Sequence, residues 1–441
     1  MLRLIWYQFL YSKKQWLGTI PLLFTASLII GVSLIGTTSS SSSIVAAPIQ
    51  LFQMLLIFGG TTLFFLISNI IRLLMNIFQQ DHQLWTILGA NKKQLSLLVS
   101  GQFFLMALII SIFGTFLAFL VVDDYYSFLQ FFLGQDELPN LFFNASFLTF
   151  IISSLIVPTI VGFGAYFYSL RFLEADKQFE NRPQKKKILH LITKLINILL
   201  VATLWVLCAF YITSDVSDRS PEQILPQSSG ILYLLILHLF IIQIISPQVQ
   251  ILALRIIHKF FNSKHYAYNT GFWNLLQNPN YLKSLQTSLT MGVTLTSGFM
   301  IFTQNMYVFA GTENAIYEAR ASFIAYMLAP ILLILANTIS ISIISSNQDF
   351  KEIIQLQILG TSKQQLLKIR LTESIFHASI IILVSTIFNF IIIYFVHYIA
   401  KLFGQGIIAY SGLWLPSLTI LISIIVFYMV IKGIFIIKNK I

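Results

Sequence analysis

The sequence predicts an all-α integral membrane protein with ten transmembrane helices, and three observations carry that expectation. Of 441 residues, 57% are hydrophobic and only 10% charged, with 40 Phe and a mean hydropathy of +0.81. A soluble domain carries roughly 25% charged residues. The apolar residues gather in runs long enough to cross a bilayer, which takes about 20 residues each. The basic residues sit at the ends of those runs, all but three on one set of connections. Because they gather on no single domain, the formal charge of +11 does not point to nucleic acid. The single cysteine, Cys208, excludes a disulfide scaffold.

Taken in order, Met1–Trp16 has Leu2, Ile5, Trp6, Phe9 and Leu10 at helical spacing, with Arg3, Lys13 and Lys14 among them. This is the pattern of an amphipathic helix lying along a membrane surface, over 1–17. Ten apolar runs follow, at 18–36, 49–71, 102–122, 142–170, 195–213, 230–253, 285–310, 321–345, 374–397 and 413–436. The sixth carries Pro247. The first is read as a span: as a signal peptide it would need cleavage near Ala46–Ala47, well past the usual extent of about 15–30 residues. Connections 37–48, 123–141, 214–229, 311–320 and 398–412 hold only Arg219, Arg320 and Lys401 of the 27 Lys and Arg. The other 24 lie in 1–17, 72–101, 171–194, 254–284, 346–373 and 432–441. The basic-poor set also holds acids such as Asp123, Asp124, Asp136 and Glu137. This asymmetry predicts that both termini are cytoplasmic.

Ile87-Leu88-Gly89-Ala90-Asn91-Lys92-Lys93-Gln94-Leu95 recurs as Ile358-Leu359-Gly360-Thr361-Ser362-Lys363-Gln364-Gln365-Leu366, an offset of 271. Without gaps, that offset carries spans one to four onto spans seven to ten, and Gln102 onto Glu373 at the expected start of the following span. The units are read as a cytoplasmic helix 1–17, a four-helix repeat 18–171, a basic linker with two helices 172–284, a second four-helix repeat 285–436 and a tail 437–441. Each repeat begins on the cytoplasmic side, so the two are parallel and related by an axis along the membrane normal.

Both copies of the repeated segment read as helix end, glycine, cap, helix start. Gly89 and Gly360 suit the left-handed position that closes a helix. Asn91 and Ser362 are N-cap residues, with Gln94 and Gln365 three places on, the capping-box spacing. A short capped helix is expected in each. One copy alone would read as a structural turn. Two at symmetry-related positions point to docking elements for a two-fold symmetric cytoplasmic partner.

These segments, with Gln102 or Glu373 after them, resemble the signature of FtsX-like ABC permease domains of the MacB/BceB type. The lead-in Tyr268-Asn269 to Tyr281-Leu282-Lys283 is similar to that of such domains too. The resemblance covers both repeats, roughly 300 of the 441 residues. It implies a permease whose coupling loops, Gly89, Ala90, Asn91, Lys92, Lys93, Gln94 and Gly360, Thr361, Ser362, Lys363, Gln364, Gln365, contact a separate cytoplasmic ABC ATPase dimer. It implies ATP and Mg bound by that partner, and lipid-like or amphipathic peptide substrates, with several members serving peptide-antibiotic resistance. Two departures stand out. Gln102 replaces the usual acid, so a carboxylate role rests on Glu373 alone, and the loops 37–48 and 311–320 are too short to form the family's large extracellular domain.

The chemistry lacking from the sequence agrees. It contains no Gly-Lys dipeptide, so no phosphate-binding GxxxxGK[ST] loop; if ATP drives this protein, another chain binds it. No catalytic residue, cofactor site or metal site is read. The histidines (His82, His190, His238, His258, His265, His377, His397) are dispersed, and His238 is read as a neutral helix-packing residue. No Asp or Glu lies within the ten spans as drawn, which disfavours an ion-coupled transporter. Asn69, Asn337 and Asn389 are expected to join helices. Arg171, Lys177, Arg182 and Lys185–Lys187 are read as a topology signal beside anionic lipid heads. The leading expectation is an ABC permease subunit exporting or extracting an amphipathic substrate. The alternative is a mechanotransmitting regulatory membrane protein that signals to an extracellular partner without moving a solute.

Overall fold

The computed structural model describes residues 2–11, 16–40, 47–87, 89–135, 138–143, 146–176, 184–214, 221–260, 265–277, 279–308, 315–402 and scattered positions between 410 and 433. Among them the regular structure is helical, without a strand. In chain order the helices are α1 (Leu2–Tyr11), a 3-10 turn (Leu17–Thr19), α2 (Ile20–Ser40), α3 (Ala47–Ile77), α4 (Gln79–Ile87), α5 (Lys92–Leu133) and α6 (Phe147–Asp176). They continue with α7 (Gln184–Thr213), α8 (Pro221–Phe260), α9 (Tyr266–Gln277), α10 (Pro279–Val308), α11 (Ala315–Ile358) and α12 (Lys363–Leu402).

Among the described residues, eight helices are long and apolar enough to cross a membrane: 17–40, 47–77, 92–133, 147–173, 195–213, 227–246, 321–345 and 363–402. The chain is an all-α, multi-pass membrane protein. Of the ten expected spans, the seventh and tenth are not among these eight. The run 285–310 does form a helix, α10, but Gln286, Thr287, Ser288, Thr290, Thr294, Thr296 and Ser297 dilute its hydropathy. The tenth, 413–436, falls largely outside the described residues.

Burial is the reverse of a soluble protein's. Every residue of α10 from 284 to 299 is buried although many are polar. The mostly apolar stretch of α7 turns Leu199, Leu207 and Phe210 outward, 66%, 63% and 71% exposed. Hydrocarbon around α7 and helix-on-helix packing around α10 account for both.

Two further expectations change. The capped helices are not short: α5 runs 42 residues and α12 runs 40 from their caps without interruption. Gln102 and Glu373 therefore lie ten residues inside their helices rather than at the start. Apolar content locates the part of a helix in the membrane; backbone hydrogen bonding carries the helix on through its polar, capped first turns.

Helices α2, α3, α5 and α6 pack on one another, and α10 packs against α11, α12 and α8. α7 lies along α8, and α3 meets α10 and α11 while α2 meets α11, which joins the two halves. Several bonds join the halves. The Leu22 amide, in the first turn of α2 where no helical carbonyl is available, donates to Ser340 Oγ at 3.2 Å. Tyr125 Oη donates to the Ala325 carbonyl at 3.0 Å, and Ser284 Oγ to the Asn69 carbonyl at 2.8 Å. Trp16, fully buried, stacks on Phe78 and meets Phe103 edge-on, with ring centroids 5.8 Å and 4.6 Å away. Phe78 separates α3 from α4, whereas the matching stretch of the second half is one unbroken helix, α11, of 44 residues.

Candidate functional site

The two glycine loops have one conformation. Gly89 has φ +93° and Gly360 φ +87°, the region where a side chain would strain the backbone. The Ala90 amide donates to the Trp85 carbonyl (3.0 Å) and the Gly89 amide to Thr86 (3.1 Å); Thr361 donates to Leu356 (3.0 Å) and Gly360 to Gln357 (2.9 Å). These are the paired bonds of a Schellman motif, which satisfies the last carbonyls of a helix and turns the chain out. Each bond of one loop has its counterpart 271 residues on.

The starts of the next helices match too. The Asn91 amide donates to Gln94 Oε1 at 3.3 Å, and the Ser362 amide to Gln365 Oε1 at 2.8 Å. The Gln365 amide returns a bond to Ser362 Oγ at 3.3 Å, completing a capping box.

Gly89, Asn91, Lys93 and Gln94 are exposed, with Ala90 and Lys92 partly so. Gly360, Ser362, Lys363, Gln364 and Gln365 are exposed, with Thr361 partly so. Beside these polar residues each loop presents an isoleucine to solvent, Ile87 at 81% and Ile358 at 79% exposed. The sequence marks these two positions only as part of a helix end, which does not by itself announce their exposure. The signal was available, because a Schellman turn ends the helix just beyond them and leaves no following turn to cover them.

Glu373 and Gln102, equivalent by the offset, differ in what they hold. Glu373 is buried and accepts from Arg370 Nη1 at 3.0 and 2.7 Å and from Asn274 Nδ2 at 3.0 Å. Arg370 is buried as well. Taking two charges from water costs several kcal/mol per ion, which such hydrogen bonds offset. The Asn274 bond draws α9 onto α12, where Thr372 Oγ1 also donates to the Ala267 carbonyl at 2.9 Å. A Cβ at Gly271 would lie 2.7 Å from that hydroxyl, so glycine permits the close crossing. In the first half α1 crosses α5 in a comparable place, with Ile5 against Gly101. There Val99 and Gln102 occupy the positions of Arg370 and Glu373, and Gln102 Nε2 has no partner.

Arg370 could have been read from its i,i+3 spacing to Glu373. Asn274, about a hundred residues distant in sequence, could not. Next to this clamp lies a groove of about 460 Å³ lined by Ile257, Tyr268, Thr372, Phe376, Ser379 and Leu383. Burial pushes the Tyr268 phenol above its ordinary pKa.

Within the bundle, Asn69 joins three helices as expected: its Nδ2 donates to Ser288 Oγ at 3.0 Å, and its Oδ1 accepts from Gln243 Nε2 at 3.2 Å. Asn337 and Asn389 do not join helices, since neither carboxamide finds a partner although both side chains are buried. His238 Nε2 accepts from Trp205 Nε1 at 3.1 Å, binding α8 to α7, and its ring meets Phe388 at 5.3 Å. The side chains of Lys177, Arg182 and Lys185–Lys187 lie outside the described residues, as do loop residues 41–46 and 311–314. Compared with family models, curated proteins and solved structures, the chain matches none.

Proposed function

We propose that the chain is the membrane subunit of an FtsX-like ABC transporter in the cell membrane, working with a separate cytoplasmic ATPase dimer. In this reading the ten spans form two parallel four-helix repeats, with the helices of 172–284 inserted between them. Both termini and both glycine loops are cytoplasmic. ATP and Mg bind to the partner, and this chain carries out no chemistry of its own. Each ATPase protomer receives one glycine loop, and its closure on ATP is carried through α5 and α12 to the outer side. The substrate is a lipid-like or amphipathic peptide molecule taken from the membrane, which fits short outer loops and a role in resistance to membrane-active peptides.

The observation that supports this reading is the pair of matched loops, with the same hydrogen bonds 271 residues apart and one exposed isoleucine on each. A two-fold symmetric partner needs two equal seats. Burying an exposed isoleucine stabilises an interface by about 1.5–3 kcal/mol, while the lysines beside it steer an acidic partner surface. Ile87→Asp or Ile358→Asp should leave the protein in the membrane and sharply reduce co-purification of a Walker-motif ATPase from its native host. Undiminished co-purification with both variants would remove the docking assignment.

A further inference from the structure

The two halves pack their first and third helices in different ways. Helix α10 lies along α12 and presents Gln286, Thr290 and Thr294 at four-residue spacing, which is one stripe of a helix. One turn beyond, a Cβ at Gly298 would lie 3.3 Å from Asn389 Oδ1 of α12, so the stripe runs up to that carboxamide. All four side chains are buried, at 0–1% exposure. None of the polar atoms of Gln286 and Asn389, nor the hydroxyls of Thr290 and Thr294, has a partner. On the flank, α8 adds Gln250, whose Nε2 donates to Thr287 Oγ1 at 3.3 Å while its Oε1 stays unbonded.

At the matching positions the first half keeps Gln15, outside the described residues, for Gln286 and Thr19 for Thr290, but Thr19 Oγ1 donates to the Trp16 carbonyl at 2.8 Å, and Leu23, Ser27 and Ala118 stand in place of Thr294, Gly298 and Asn389. Its interface is shut by close packing. A Cβ at Gly31 would lie 2.6 Å from that of Ala118, and a Cβ at Gly114 would lie 2.6 Å from that of Ser27. Ser27 donates to its own helix, at Leu23 O (2.7 Å). The unbonded polar atom beside these residues is the hydroxyl of Thr115.

We propose that the α10–α12 face is a water-binding track in the membrane interior, without a counterpart among the described residues of the first half. Buried polar groups are bonded to protein or to ordered water, and in hydrocarbon they find no other partner. Water is the chemistry that fits. From Ser284 to Asn305 on α10 and from Ser374 to Ala400 on α12 there is no Asp, Glu, Lys or Arg, the titratable residues there being His377 and His397, so the track offers no carboxylate to counter a cation. Carboxamides and hydroxyls supply both donors and acceptors, as a hydrogen-bonded water file requires. This assignment does not depend on the transporter reading.

The test uses the full chain in membranes, with Cys208→Ser as background. Thr294→Cys and Leu23→Cys place a thiol at equivalent depths of the two halves, and silver ion serves as a water-sized thiol probe. After timed exposure the protein is unfolded and the unreacted thiol counted with a maleimide. The thiolate is the reacting form and an apolar setting suppresses it, about tenfold for each unit of pKa. The track predicts blocking at Thr294→Cys at least about tenfold faster than at Leu23→Cys. Adding Asn389→Leu should slow Thr294→Cys toward the Leu23→Cys rate. Equal rates in the two halves, or no effect of Asn389→Leu, would overturn the proposal. If Leu23→Cys does not fold, Met106→Cys gives the dry reference in the same interface.

Discussion

Replacing Glu373 by Gln removes one charge and little else, because the amide oxygen still accepts from Asn274. What it strands is Arg370, 4% exposed and bonded through Nη1 to both carboxylate oxygens. Breaking a buried pair from one side typically costs about 3–5 kcal/mol. The lower end applies here, since the arginine stem can carry its head part of the way to water. The element that loosens is α9, seated on α12 at Glu373, Thr372 and Gly271. Local opening then becomes easier by about 3 kcal/mol. At about 1.4 kcal/mol per factor of ten, amide hydrogen exchange over 266–277 rises by roughly two orders of magnitude. The double variant Arg370→Val, Glu373→Gln installs the Val99–Gln102 pair of the first half and leaves no charge stranded. Its exchange should return to within about tenfold of the wild-type rate, as apolar replacement of a buried ion pair is often neutral. Wild-type exchange in Glu373→Gln, or a double variant no slower than the single, would refute the clamp.

Three further outcomes are expected. Gly89→Val or Gly360→Val meets open space at the added Cβ, so only the positive φ resists, by roughly 1–2 kcal/mol; immunoblots should show normal membrane levels, and pull-downs a weakened ATPase association from either variant. A cysteine at residue 220 or 405 should react with an impermeant maleimide in intact cells, and one at residue 180 only after permeabilisation; the opposite pattern would invert the topology. A flexible Gly-Ser insertion at Ser41, in the short serine-rich connection 37–48 that the sequence places between two spans, should leave the co-purified ATPase unchanged, because connections of this kind tolerate added chain.

The parts of this architecture that were legible in the sequence depend on short-range physics. Apolar runs mark bilayer depth, and glycine followed by a cap marks a turn whose bonds reach only a few residues, so the loop conformation could be stated before the fold was known. Contacts made across the bundle were hidden. Nothing near Glu373 in sequence announces Asn274, and nothing near Asn389 announces that α10 would leave its carboxamide unbonded while Asn69 would find Ser288 and Gln243. The seventh run shows the other limit. Its hydroxyls lower the hydropathy that identifies a span, yet α10 is the most completely enclosed helix of the bundle over 284–299. Hydropathy measures exposure to lipid, and a helix ringed by other helices is released from that requirement.

The unbroken run of α11 sets a mechanical asymmetry between loops that look the same. At about 1.5 Å per residue, its 44 residues make a rod of about 66 Å, over twice the roughly 30 Å of a hydrocarbon core. From Pro330, where the ring removes one backbone bond, to Ile358 at the second loop is an arm of about 42 Å. Swinging that arm by about 10° carries Ile358 about 7 Å sideways. In the first half the chain breaks at Phe78, and the arm beyond it is α4, nine residues or about 13 Å, so the same swing moves Ile87 by about 2 Å. One loop sits on a long lever and the other on a short one, so equal rotations at Pro330 and Phe78 displace the two loops unequally.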